Sequence, residues 1–205
     1  MTHKEYLSDP CRAASLPYWK TERLALPENT AVVRDDEYDP KIHFGADTQY
    51  FKLRHDLMHI GSPRLPSGFE LSECGISEFA THINSCYSDI GVREEELFSY
   101  RSRPVYDSAL WIAVREKESG IISATGIAEL DTRIGEGVLE WIQVSPEYRR
   151  RGLGRFLVNE LLSRLSSRAG FVTVSGRLYD PCDPLSLYLS CGFKDKTVWH
   201  VIKKA

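Results

Sequence analysis

The stretch Leu139-Glu140-Trp141-Ile142-Gln143-Val144-Ser145-Pro146-Glu147-Tyr148-Arg149-Arg150-Arg151-Gly152-Leu153-Gly154-Arg155-Phe156 decides how the chain is read. Leu139, Trp141, Ile142 and Val144 suit a buried strand, Ser145-Pro146 ends it, and an apolar spacing of about 3.6 residues begins at Leu153. The arginine run between them is therefore a strand-to-helix turn.

Such a turn has a definite physical use. The start of a helix exposes backbone N–H groups with no internal partner and carries the positive end of the peptide dipoles, so an anion is stabilised there. Gly152 and Gly154 lack a Cβ that would hinder close approach, while Arg149, Arg150, Arg151 and Arg155 offer charge and forked donors matched to phosphate oxygens. Leu153, Phe156, Leu157, Leu161, Leu162 and Leu165 share one face of the following helix, which stops after Arg168 at Gly170.

Two familiar phosphate loops do not fit these letters. A dinucleotide fingerprint needs a third glycine where Leu157 stands, and a nucleoside-triphosphate loop needs Gly-Lys-Ser/Thr, which occurs nowhere. The pattern that fits is Arg-x-x-Gly-x-Gly at Arg149, Gly152 and Gly154, directly after an apolar strand. It resembles the acetyl-coenzyme A signature of the GNAT superfamily of N-acyltransferases. A second element, Asp183-Pro184-Leu185-Ser186-Leu187-Tyr188-Leu189-Ser190-Cys191-Gly192-Phe193, is similar to that superfamily's later signature, a tyrosine-bearing helix followed by Gly-Phe and a final strand.

The remaining chain bounds the answer. It has 205 residues, 42% hydrophobic and 27% charged, with a net charge of -3, so the arginine cluster is local and a nucleic-acid partner is not expected. Five scattered cysteines with no Cys-x-x-Cys pair argue against a disulfide framework and against structural zinc. No basic-then-apolar leader and no apolar run of about 18 residues occurs, so a cytoplasmic protein with no membrane partner is expected. His55 and His59 stand at i and i+4, but without the Glu of a metalloprotease helix they read as packing or surface residues, and no metal is expected.

Residues 1–65 are broken by Leu-Pro and Asp-Pro steps and read as an N-terminal extension of unknown role, with Ala31 to Arg34 and Tyr50 to Leu53 strand-like. From residue 66 the order is strand, two helices, three strands, helix, strand, helix, strand. The resemblance implies for residues 66–205 an α/β (α+β) GNAT fold, a mixed, mostly antiparallel sheet flanked by helices on both faces.

The resemblance also implies a reaction, with acetyl-coenzyme A as co-substrate and a primary amine of a small molecule or protein attacking directly. A pantetheine arm would lie along the main chain of Ile142 and Val144, and the diphosphate would meet Arg149, Arg150, Arg151, Gly152, Leu153, Gly154 and Arg155. An alkyl ammonium near pKa 10.4 is almost wholly charged at pH 7, so a base is needed. Glu140 is the candidate: period-two geometry puts it on Val144's face, with Trp141 opposite. Glu136, in a Gly-Glu-Gly setting that reads as a turn, is the reserve. Tyr188 matches the tyrosine that supplies a proton to the departing thiolate. Asp183 stands where many members carry asparagine; its alternative use is as a helix cap, since a carboxylate cannot donate the amide hydrogen bond. Trp141, Trp111, Tyr87, Tyr100 and Tyr106 are the aromatic residues available to wall an acceptor pocket. A homodimer is the oligomer to look for, and the alternative function is a non-catalytic acyl-coenzyme A sensor.

Overall fold

A computed structural model of the chain describes residues 1–23 and 25–204. Three short helices come first, α1 (His3–Ser8), α2 (Pro10–Ala13) and α3 (Tyr18–Thr21), then strands β1 (Thr30–Arg34), β2 (Ala46–His55) and β3 (Phe69–Ser72). Helices α4 (Ile76–Cys86) and α5 (Glu94–Ser99) lead into β4 (Trp111–Glu116), β5 (Ile122–Asp131) and β6 (Glu136–Val144). The last elements are α6 (Leu153–Leu165), β7 (Phe171–Arg177), α7 (Pro184–Ser190) and β8 (Lys194–Lys203).

Local chemistry explains most of these boundaries. Thr2 and Glu5 form a capping box at α1, Asp9 caps α2 with Pro10 in its first turn, and Glu78 reaches back to the Gly75 N–H at 2.9 Å to start α4. In α6, Leu153, Phe156, Leu157, Leu161, Leu162 and Leu165 are all buried, as their spacing predicts.

All eight strands form one sheet, in the order β1-β8-β2-β7-β6-β5-β4-β3. Every neighbouring pair is antiparallel except β6 and β7, so the sheet is mixed and mostly antiparallel, as expected. The main core lies between the sheet and α6, where Leu157 and Leu161 meet Ala124, Ala128, Leu139 and Val174. A second core forms on the opposite face, where Phe79, Ile83 and Leu97 from α4 and α5 meet Ala113 and Ile127.

The segment before residue 66 is built into this sheet. β2 lies between β7 and β8, and β1 pairs with β8 at the edge, so the sequence-based division at residue 65 separates strands that the sheet joins. Helices α1 to α3 cover the face shared with α4. Buried Lys52 of β2 fixes them there, its Nζ donating to the carbonyls of Ala14 at 2.8 Å and Leu16 at 2.9 Å and to the Tyr6 hydroxyl at 3.1 Å. Burial brings Lys52 down to about 8, because water no longer stabilises its charged form.

One feature of the register creates the site. β6 and β7 pair only from Glu136↔Phe171 to Leu139↔Val174; beyond that point β6 stays with β5 while β7 stays with β2. The sheet therefore splits between the two parallel strands, leaving the later half of β6 with an edge that no strand covers. His55 ends β2 and packs on Phe193, with ring centroids 5.2 Å apart, and among the described residues no three His, Cys, Asp or Glu side chains are placed together to hold a metal ion.

Candidate active site

A cavity of about 930 Å³ fills the split. It is bordered by Ile142, Val144 and Gln143 on β6 and by Ser175, Gly176 and Arg177 on β7. At one end it meets the arginine turn, lined by Arg149, Arg150, Gly152, Leu153, Gly154 and Arg155. Asp183 and Tyr188 line it from the α7 side and Glu140 from β6. Eleven of the twelve residues expected at a site are thus gathered on one cavity. Arg151 is the exception: it points at Glu116, 3.9 Å away, and over the Tyr148 ring, because the turn swings its side chain outward.

The turn owes its shape to left-handed backbone at Arg150 (φ 62°) and Gly152 (φ 86°), a conformation natural to glycine and costly for arginine. Gly152 precedes α6 with no side-chain cap, so the first-turn N–H groups of Leu153, Gly154 and Arg155 lack an intrahelical partner and open on the cavity. Arg149 is held differently: its guanidinium donates to the carbonyls of Val144 at 3.2 Å and Cys86 at 3.4 Å. It fixes the turn against the ends of β6 and α4. A Cβ at Gly154 would stand 3.2 Å from Leu187 and 3.8 Å from Val144, so glycine permits close approach of α6 and α7 as well as access to the helix start.

Glu140 required a correction. The β5–β6 register runs from Ile127↔Trp141 to Ala128↔Leu139, making Glu140 the extra residue of a β-bulge. The bulge resets the alternation, so Leu139, Ile142 and Val144 face the α6 core while Trp141 joins the α4–α5 core. Glu140 shares the latter face and not that of Val144, so period-two alternation fails for Glu140, while Trp141 lies opposite Val144 as expected. There it ion-pairs with Lys20 of α3, with Arg103 at 3.9 Å. Neighbouring Glu129 accepts from Trp19 at 3.0 Å and Arg103 at 2.5 Å. Burial, reinforced by the charge of Glu140, raises Glu129 well above the ordinary carboxylate range.

Glu136, the reserve candidate, is no turn residue. It opens β6 fully buried, accepting from the Tyr6 hydroxyl at 2.5 Å, the Thr173 hydroxyl at 2.6 Å and the Tyr18 N–H at 3.0 Å. Burial raises its pKa even against these donors, and its bonds tie the N-terminal helices to the sheet.

Tyr188 packs between Phe51 and Phe193, with ring centroids 6.1 Å and 5.6 Å away, and burial holds its phenol far above its usual pKa. Asp183 does cap α7, its Oδ1 accepting from the Ser186 N–H at 3.2 Å, and these Ser186 bonds lower its pKa. Another buried cluster braces the far side of β6: His82 lies 2.9 Å from the hydroxyls of both Thr125 and Ser145, and burial brings it down to about 4. Of the five expected aromatics, Tyr87 and Trp141 line the cavity, while Trp111, Tyr100 and Tyr106 pack together beside α5. Tyr50 and Trp199 line it unexpectedly, brought there by β2 and β8. Their alternation with apolar neighbours was the only trace in the letters.

Residues 107–195 match the family model of the acetyltransferase (GNAT) domain. That stretch, which holds the arginine turn and the tyrosine helix, is similar to a GNAT domain. Solved structures agree in fold. A GCN5-related N-acetyltransferase from Sphaerobacter thermophilus is 19% identical with a TM-score of 0.68, covering 98% of this chain and 65% of that one. A tandem GNAT protein from the clavulanic acid biosynthesis pathway is 16% identical with a TM-score of 0.60, covering 85% of this chain and 63% of its own. A GNAT-family protein from Novosphingobium aromaticivorans is 13% identical with a TM-score of 0.55, covering 89% and 70%. The chain thus spans less than two thirds of the first two. No curated protein matches it in sequence. Among the described residues, no helix is long and apolar enough to cross a membrane.

Proposed function

We propose that the protein is an acyltransferase that moves the acetyl group of acetyl-coenzyme A to a primary amine by direct attack, with an acetyltransferase unit that extends beyond residues 66–205 to take in β1 and β2. The observation that carries this reading is the split between β6 and β7, which runs from a free strand edge to the uncapped start of α6. An extended pantetheine arm fits such an edge by adding to the sheet at Ile142 and Val144, and a diphosphate fits open N–H groups backed by Arg150 and Arg155. Asp183 contributes by capping α7 so that Tyr188 faces the cavity.

The chain's own groups then divide the proton work. As the new C–N bond forms and the C–S bond breaks, Glu140 takes the proton of the attacking amine and Tyr188 gives one to the departing thiolate. Burial keeps the Tyr188 phenol protonated, so a proton is at hand beside the sulfur as the C–S bond breaks.

The test joins calorimetry to turnover. Coenzyme A and acetyl-coenzyme A should both bind, thiol should be released when amines are added, and Tyr188→Phe should lower kcat by about a hundredfold with unchanged coenzyme A affinity. Failure of both forms to bind overturns the reading.

A further inference from the structure

We propose that the acceptor is a small primary amine carried on a flat, apolar body with a single cationic centre, and not a polyamine or a protein N-terminus. This rests on the function proposed above and concerns the part of the cavity lined by β2, β8 and the residues that follow α4. The floor there is a cross-strand row, since Tyr50 pairs with Arg177 of β7 on one side and Trp199 of β8 on the other, and all three line the cavity. Tyr87 and Trp141, packed edge to face at 6.1 Å, form a wall, and Leu16 lies opposite. Four aromatic rings around one space favour a planar apolar guest, by area and by ring-to-ring geometry.

Charge argues in the same direction. The carboxylates lining the cavity already have partners: Glu140 has Lys20, Asp180 accepts from the Cys182 N–H at 2.8 Å, and Asp183 caps α7. Arg177 in this part is a cation, paired outward with Asp89. Glu140 is shared with Lys20, and Asp180 and Asp183 are engaged by backbone N–H groups on the α7 side, so a second ammonium held among the rings would meet the Arg177 guanidinium and be desolvated beside a like charge.

Enclosure is the third argument. The Ser15–Leu16 stretch borders this part and narrows it, held by the Lys52 bond to Leu16 at 2.9 Å and by the Ser175 hydroxyl, which lies 3.5 Å from the Ser15 carbonyl. A polypeptide needs an open groove in which its chain can continue; a small molecule does not.

Thiol release with saturating acetyl-coenzyme A separates the classes, using 2-phenylethylamine, spermidine and an alanyl hexapeptide as acceptors. The expected result is a kcat/KM at least tenfold higher for 2-phenylethylamine. Tyr50→Leu should raise its KM about tenfold while leaving the KM for acetyl-coenzyme A unchanged, and Tyr50→Phe, which keeps the ring, should restore it. Preference for spermidine or the peptide overturns the acceptor class while acetyl transfer stands. Coenzyme A binding without release from any of the three also overturns it, and a wider amine panel then shows whether acetyl transfer falls too.

Discussion

Glu136 and Glu140 stand four residues apart on β6, yet they belong to different kinds of region. Glu136 lies where β6 is paired on both edges and sealed by Tyr6, Tyr18 and Thr173. Glu140 lies at the bulge, where β7 has departed, and borders a cavity. The contrast shows that carboxylate chemistry on a strand is set by what covers each edge: a closed edge turns the group into a fold anchor, an open edge makes it available to a ligand.

Breaking the closed end should have the largest effect. Glu136→Ala leaves the Tyr6 hydroxyl, the Thr173 hydroxyl and the Tyr18 N–H buried without their acceptor and buried Lys52 without its nearby negative charge, and should lower unfolding free energy by roughly 3–5 kcal/mol in urea titration. A loss below 1 kcal/mol would erase the contrast. The bracing of the open end is next. His82 is neutral in the fold with its pKa brought from 6.5 to about 4, so the unfolded chain binds more protons between those values. Its contribution is fully present above pH 6.5 and is lost as pH falls towards 4, a loss of roughly 3 kcal/mol that pH-dependent denaturation should detect and His82→Gln should flatten.

Glu140→Gln sharpens the comparison from the other side: kcat/KM should fall about a hundredfold, with stability changed by no more than about 1 kcal/mol. Equal stability losses at the two positions would make Glu140 another anchor. The smallest expected effect is at Lys20, whose cation lowers the pKa of Glu129. Lys20→Met should raise Glu129 further, by about one pH unit, in a carboxyl NMR titration.

The legible parts of the chain were those whose physics is local. The 3.6-residue apolar rhythm of α6, the glycines before and within its first turn, Asp183 at the start of α7 and the strand letters of β6 each carry their own explanation, so the arginine turn and the tyrosine helix were readable and fell on one cavity. Three things were not. The place of β2 between β7 and β8 is a choice among distant partners, and any apolar strand has letters compatible with several. The bulge at Glu140 adds one residue to one strand and leaves no mark on composition, yet it puts Glu140 on the face of Trp141 instead of that of Val144. The burial of Glu136 depends on Tyr6, 130 positions away, which no window of sequence includes.

The sequence by itself determined the elements from residue 66 onwards, their order, the anion-ready turn and the family pattern, because helix periodicity, capping and glycine tolerance act over a few residues, while helices α1 to α3 went unread. Only the tertiary structure decided that residues 30–55 complete the sheet, that β6 and β7 part after Leu139, and which of two glutamates meets the cavity. Those outcomes depend on hydrogen-bond pairing and burial between segments far apart in the chain, where the free energy belongs to the packed ensemble and not to any one stretch.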